Sequence, residues 1–131
     1  MATNPNPEHV FDYIFIGLGA GNSLMLLSLL KNQCLTGKKV AIIESDEKKL
    51  NDKTYCFWAH ETDDLVEDLK AIISYQYKYI ELPKGTLQSI QDQPYCYIRS
   101  IDFYNHTLQI CEQEQFPIYR IAVEGIYPSN D

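Results

Sequence analysis

The chain is short of positive charge: 11 lysines and arginines stand against 18 aspartates and glutamates, leaving a net charge of −7. A surface that holds a phosphate backbone needs the opposite balance, so a nucleic-acid partner is disfavoured. No run of like charge is long enough to act as an interaction tail. Met1 to Val10 holds no lysine or arginine, so the basic start of a secretory signal is missing, and residues 1–11 read as a flexible leader. The four cysteines (Cys34, Cys56, Cys96 and Cys111) form no C-x-x-C pair and have no histidine at ligand spacing. They read as free thiols in a reducing, cytoplasmic setting, and no metal is expected. His60 beside Glu61, Asp63 and Asp64 reads as a solvated acidic turn, because no matching ligand motif occurs elsewhere.

Charge is also missing from Tyr13 to Leu30, eighteen residues that could cross a bilayer on length alone. Gly17, Gly19, Gly21 and Asn22 sit near the middle of that stretch, where each weakens a helix and the asparagine is costly in lipid. A soluble reading accounts for more. Tyr13–Ile16 is a continuous apolar run that fits a buried parallel strand, ended by glycine. Ala20 to Cys34 reads as a helix with Lys31 in its last turn and Gly37 beyond its end. Apolar residues cover most of its circumference, which predicts packing between layers. Lys39–Glu44 then returns as a second apolar strand, completing a parallel βαβ unit.

With 131 residues, 45% of them hydrophobic, the chain has room for one domain with a real core. No repeat and no linker argues for two complete domains, so 12–131 reads as one α/β unit. Composition alone makes Asn51–Trp58 a loop with buried aromatics. Asp64–Lys70 ("DLVEDLK") is a short helix candidate. Tyr75, Tyr77 and Tyr79 alternate with Gln76, Lys78 and Ile80 as in a half-exposed strand. Pro83-Lys84-Gly85 turns the chain so that Thr86 onward pairs back antiparallel. Ile101, Tyr104, Leu108 and Cys111 share one helical face, with Ser100 as its N-cap, and "IYRIAVEGIY" reads as a last strand.

The chemistry gathers at the first strand-to-helix turn. Gly17, Gly19 and Asn22 hold the three glycine positions of G-x-G-x-x-G. The first glycine allows the tight turn, the second lets a pyrophosphate approach the backbone, and the third keeps helix and strand close. Helix N–H groups and the positive dipole end favour a phosphate there. Glu44 lies twenty-two residues past Asn22, at the end of the next strand, where a carboxylate takes the hydroxyls of an adenosine ribose. Its charge repels a 2′-phosphate. The candidate cofactor contacts are therefore Gly17, Gly19, Ala20, Gly21 and Asn22 in the turn, with Glu44 and Ser45 after the second strand. Glycines serving packing only are the plain alternative.

The combination "DYIFIGLGAGN…VAIIES…NDKTYCFW" resembles the amino-terminal part of bacterial lycopene β-cyclases, which carry an N-D-R-T-W-x-F-W/H motif soon after the second Rossmann strand. Lys53 stands for the motif's arginine and Tyr55 for its tryptophan; lysine cannot make the bidentate contacts of arginine. The resemblance extends through "PYCYIRSIDFYNHTLQ". In related FAD enzymes of the hydroxylase and geranylgeranyl-reductase type, an arginine opening the corresponding helix reaches the cofactor. By that resemblance Lys53 and Arg99 join the cofactor contacts; an ion pair at the surface is the alternative for Arg99.

What the resemblance implies is a Rossmann-like FAD-binding βαβ unit with an added antiparallel β-hairpin and an incomplete sheet. It also implies reduced FAD with NAD(P)H as reductant. The implied reaction is a non-redox isomerisation that closes the linear ends of lycopene into β-ionone rings. Family members are much longer than this chain, none of whose acids matches their catalytic motifs, so no catalytic residue is assigned. The chain reads as an amino-terminal fragment, inactive alone, that self-associates through exposed strand edges. Peripheral membrane contact follows from a membrane-dissolved substrate. An FAD-dependent oxidoreductase of the hydroxylase or reductase type, or a non-catalytic nucleotide-binding fragment, is the alternative.

Overall fold

In the computed structural model, residues 9–129 are described; the first eight residues of the expected leader lie outside them. The chain is mixed α/β, with small sheets and three helices among the described residues. Its contacts gather into two compact units. The first runs to Lys48 and resumes at Thr107, and the second spans Lys49–His106.

The first unit holds β1 (Tyr13–Ile16), α1 (Ala20–Lys31) and β2 (Val40–Ile43). The two strands pair in parallel, Tyr13 opposite Val40 and Ile16 opposite Ile43, so the expected βαβ unit forms. In the core, Phe15, Leu26, Val40 and Ile42 are buried together with Leu18, Leu35 and Cys111. α1 is not packed between layers. Ser23 and Leu26 are its buried residues, and Met25 is 57% exposed. The helix ends at Lys31, short of Cys34, because Gln33 adopts a left-handed conformation (φ 58). The Cys34 N–H then reaches the Leu29 carbonyl at 2.9 Å and the Gln33 N–H reaches Leu30 at 3.0 Å, a Schellman closure with glutamine in glycine's place.

In the second unit, the expected loop Asn51–Trp58 is irregular only over its first three residues, and Thr54–Trp58 forms β3. After α2 (Asp64–Leu69), the expected tyrosine strand breaks at Lys78 into β4 (Tyr75–Tyr77) and β5 (Tyr79–Leu82). β5 and β6 (Thr86–Ser89) make the predicted hairpin, with Lys84 and Gly85 both at positive φ in its turn. β7 (Tyr95–Arg99) pairs antiparallel with β3 on one side and β4 on the other. Alternation along β7 sorts its residues: Cys96 and Ile98 are buried, whereas Tyr95, Tyr97 and Arg99 share the opposite face.

α3 (Ser100–Gln113) starts in the second unit and ends in the first. β8 follows as two residues, Ile118–Tyr119, pairing in parallel with β2 to give the order β1-β2-β8. The expected longer strand over "IYRIAVEGIY" does not form; Arg120 to Ser129 is irregular. No helix of the described residues is long and apolar enough to cross a membrane, which removes the bilayer-spanning alternative for Tyr13–Leu30.

Candidate functional site

Gly17 makes the turn. Its φ of +86 is a left-handed conformation that costs a side chain, and its N–H donates to the Ile43 carbonyl at 2.7 Å, holding strand end to strand end. Gly19 is the N-cap of α1, with φ −75 and ψ 176, a conformation open to any residue. A Cβ placed on Gly19 or Gly21 would meet nothing within 4 Å. Packing within the chain therefore requires neither glycine, and the space in front of the helix start is clear. α1 has no side-chain cap and no acid in its first turn. The first N–H groups of a helix have no partner inside it, so this end offers donors and the positive end of the dipole.

Asn22 has a role that the sequence pattern does not reveal. Its Nδ2 donates to the carbonyls of Ile16 and Gly17, each at 2.8 Å, tying the strand end to the helix. Asparagine thus braces the turn by hydrogen bonding where a glycine would do so by close approach. Replacement by alanine is expected to lower stability by about 1–2 kcal/mol, since two carbonyls lose a donor. A urea midpoint that does not move in Asn22→Ala would show the brace to be idle.

Glu44 is 6% exposed and reaches back under the same turn. Its Oε2 accepts the Leu18 N–H at 2.6 Å and its Oε1 accepts the Asp46 N–H at 2.9 Å. Lys48 Nζ stands 3.6 Å from Oε2 and balances the buried charge. A carboxylate has about four acceptor positions, so Glu44 keeps capacity for a hydroxyl while holding the turn. Ser45, next in the chain, is exposed. The turn residues and Glu44 are thereby brought into one place.

Lys53 and Arg99 belong to the second unit. Thr54 lies opposite Arg99 in the ladder, which sets Lys53 beside the start of α3. The Lys53 N–H donates to Ser100 Oγ at 3.0 Å and the Ser100 N–H donates to the Lys53 carbonyl at 3.3 Å. Asn51 Oδ1 accepts the Ile101 N–H at 3.4 Å. Ser100 is thus the first helical residue rather than the N-cap, and the cap arrives from Asn51, fifty positions earlier.

Asp52 Oδ1 accepts the Tyr104 hydroxyl at 3.0 Å, and that hydroxyl lies 3.2 Å from Tyr55 Oη. Burial, reinforced by bonds to Tyr55 and Asp52, pushes the Tyr104 hydroxyl above the ordinary tyrosine range. Desolvation pulls Asp52 upward, but hydrogen bonds from Tyr104, its own backbone and Ser100, with the Lys53 charge, outweigh it and set its carboxyl below the usual value.

Arg99 is half-exposed and forms a bidentate pair with Asp102, Nε to Oδ2 at 2.7 Å and Nη2 to Oδ1 at 2.9 Å. The surface ion pair considered for it is therefore formed. The pair raises the guanidinium above its ordinary value, so Arg99 carries its charge at every working pH.

The four cysteines are free thiols. Burial pushes Cys111 up to about 11 and moves Cys96 upward, which removes both as nucleophiles near neutrality. Among the described residues no group of histidine, cysteine or acid could hold a metal ion. The chain matches no protein-family model and no curated protein.

Proposed function

We propose that the chain binds FAD through its adenine-dinucleotide half and forms the FAD-binding region of a lycopene β-cyclase. The observation that carries the nucleotide half is the open space before Gly19, at an uncapped helix start between a strand end and the buried acid Glu44. Gly19, Ala20, Gly21 and Asn22 would present N–H groups to the pyrophosphate, and Glu44 a free acceptor to the ribose. The order β1-β2-β8, all parallel, supports the reading, since it runs like the 3-2-1 half of a doubly wound nucleotide-binding sheet.

The cyclase part rests on the resemblance of the "NDKTYCFW" segment to the family motif. In that reading Gly17, Gly19, Ala20, Gly21, Asn22 and Glu44 would hold the dinucleotide part of reduced FAD, with NAD(P)H as its reductant, and the bound flavin would supply charge stabilisation for a non-redox ring closure. Asn51, Asp52 and Lys53 act on the start of α3 and so on Arg99 just before it. An FAD-dependent oxidoreductase of the hydroxylase or reductase type shares the same nucleotide half, and Arg99 at the opening of α3 suits it equally.

Titration of the chain with FAD tests the first part. Ligand at a hundred times its Kd stabilises a fold by about 2.7 kcal/mol, so the thermal midpoint is expected to rise with FAD concentration, and less with a 2′-phosphorylated dinucleotide. A midpoint unmoved by millimolar FAD would sink the nucleotide reading. Expression of the complete coding frame in lycopene-accumulating cells tests the second part; red cells that stay red would remove the cyclase.

A further inference from the structure

Glu44 is the acid that the nucleotide reading gives to the ribose, yet its side chain is only 7% exposed. Among the described residues, three groups enclose its carboxylate. Two are backbone amides, the Leu18 N–H on Oε2 and the Asp46 N–H on Oε1. Neither is free to move. Leu18 follows the turn that the Gly17 N–H ties to the Ile43 carbonyl, and the Arg120 guanidinium holds the Asp46 carbonyl. The third group is a side chain. Lys48 Nζ stands 3.6 Å from Glu44 Oε2 and 3.8 Å from Asp46 Oδ2, and the lysine side chain is 11% exposed.

A lysine ordinarily keeps its ammonium in water and lays only its stem along the protein. Lys48 is folded inward instead, and its backbone is bent to allow it. Its φ of +56 lies in the left-handed region, which is unfavourable for a residue with a side chain. Its N–H donates to Asp46 Oδ1 at 3.2 Å, which fixes the bend. The loop after β2 is therefore built to lay a cation on Glu44. At 3.6 Å the contact is an ion pair without a close hydrogen bond, and a flexible lysine stem can leave it. Ribose hydroxyls have to come within about 3 Å of the carboxylate oxygens to bond them. With both amides fixed, the lysine is the part that gives way.

We propose that Lys48 is a movable cover over the ribose acid. In the closed state its ammonium balances the Glu44 charge, and the side chain swings outward when an adenosine ribose arrives. The ribose hydroxyls then replace the lysine as donors to Glu44, and the ammonium returns to water. The inference rests on the dinucleotide reading and adds a closed and an open state of the same pocket. Because the ligand takes the open state alone, its apparent affinity is reduced by the fraction of chains that are closed.

Amine acetylation followed by peptide mass spectrometry tests the cover. Without nucleotide, Lys48 is expected to react about tenfold more slowly than Lys84, an exposed lysine between β5 and β6. Saturating FAD or ADP is expected to speed Lys48 by about threefold or more and to leave Lys84 unchanged. Lys48→Met keeps the stem and removes the charge. It is expected to lower the thermal midpoint, since Glu44 loses its counter-charge, and to tighten FAD binding by about threefold or more. A lysine that held the pyrophosphate would give the opposite sign. Slower acetylation of Lys48 with FAD, or weaker FAD binding by Lys48→Met, would make the lysine a ligand contact and overturn the cover. A Lys48 rate unchanged by FAD that does raise the thermal midpoint removes the cover and leaves the nucleotide reading standing. A midpoint that FAD does not move removes both.

Discussion

Gly19→Asp is expected to raise the melting temperature of the chain while removing its affinity for FAD. The two effects have opposite signs because the glycine is dispensable to the fold and required by the ligand. At φ −75 and ψ 176 the backbone accepts any residue, and a new Cβ meets nothing within 4 Å. Aspartate is among the best N-cap residues, and its charge favours the positive end of the helix dipole. The gain over glycine is about 0.5–1 kcal/mol, or roughly 2–5 °C for a domain of this size. The same carboxylate would accept the first-turn N–H groups and repel an approaching pyrophosphate, so FAD affinity falls by at least about a hundredfold.

Gly17→Ala is the matched control. Its φ of +86 makes a side chain there cost about 1–2 kcal/mol, and the midpoint drops whether or not a nucleotide binds. Should Gly19→Asp lower stability, the glycine is a packing residue. Should it leave FAD binding intact, the pyrophosphate is held elsewhere, and the nucleotide reading fails with it.

The parts legible in the sequence are those set by contiguous residues. The apolar run Tyr13–Ile16, the glycine turn and the returning strand place β1, α1 and β2 because period and turn chemistry are local properties. The hairpin about Pro83-Lys84-Gly85 is legible for the same reason. What was not legible depends on distant partners or on a residue in an uncommon conformation. Gln33 ends α1 before the glycine that marks the expected stop, because a glutamine takes the positive φ of the closing turn there. Tyr55 and Phe57 look like loop aromatics until β7 supplies the strand that pairs with them. The aromatic face of the β3-β7-β4 sheet is not legible in the sequence because its rings come from three separated segments that only the strand pairing brings together.

In the candidate site, the glycines and Glu44 were legible by spacing. Their geometry was not, because Glu44 closes onto the Leu18 N–H and Asn22 onto two carbonyls, contacts that depend on the fold of the turn.

Ser100→Ala is expected to cost about 2 kcal/mol, more than its single hydroxyl suggests. The hydroxyl accepts the Lys53 N–H at 3.0 Å and lies 3.3 Å from both Asn51 Oδ1 and Asp52 Oδ1. Its loss leaves a backbone donor unmet and loosens the Asn51 cap on α3, two costs of about 1 kcal/mol each. Tyr104→Phe removes two further bonds of the network, those to Asp52 and Tyr55, for about 1–2 kcal/mol. Its pH signature separates it from a simple packing change. Folded Tyr104 holds its proton above the ordinary value of 10.0, so its contribution is complete below that pH and is lost as pH rises beyond it. Asp52 behaves in the opposite sense: its lowered carboxyl contributes above the ordinary value of 3.8, and that contribution is lost as pH falls below it. Urea midpoints are thus expected to hold across neutral pH and to fall at both extremes. Tyr104→Phe should flatten the alkaline limb and Asp52→Asn the acid limb. A wild-type alkaline limb that persists unchanged in Tyr104→Phe would place its origin in another tyrosine. If Ser100→Ala leaves the midpoint unmoved, the "NDK" segment is not the cap of α3, and its link to Arg99 is broken.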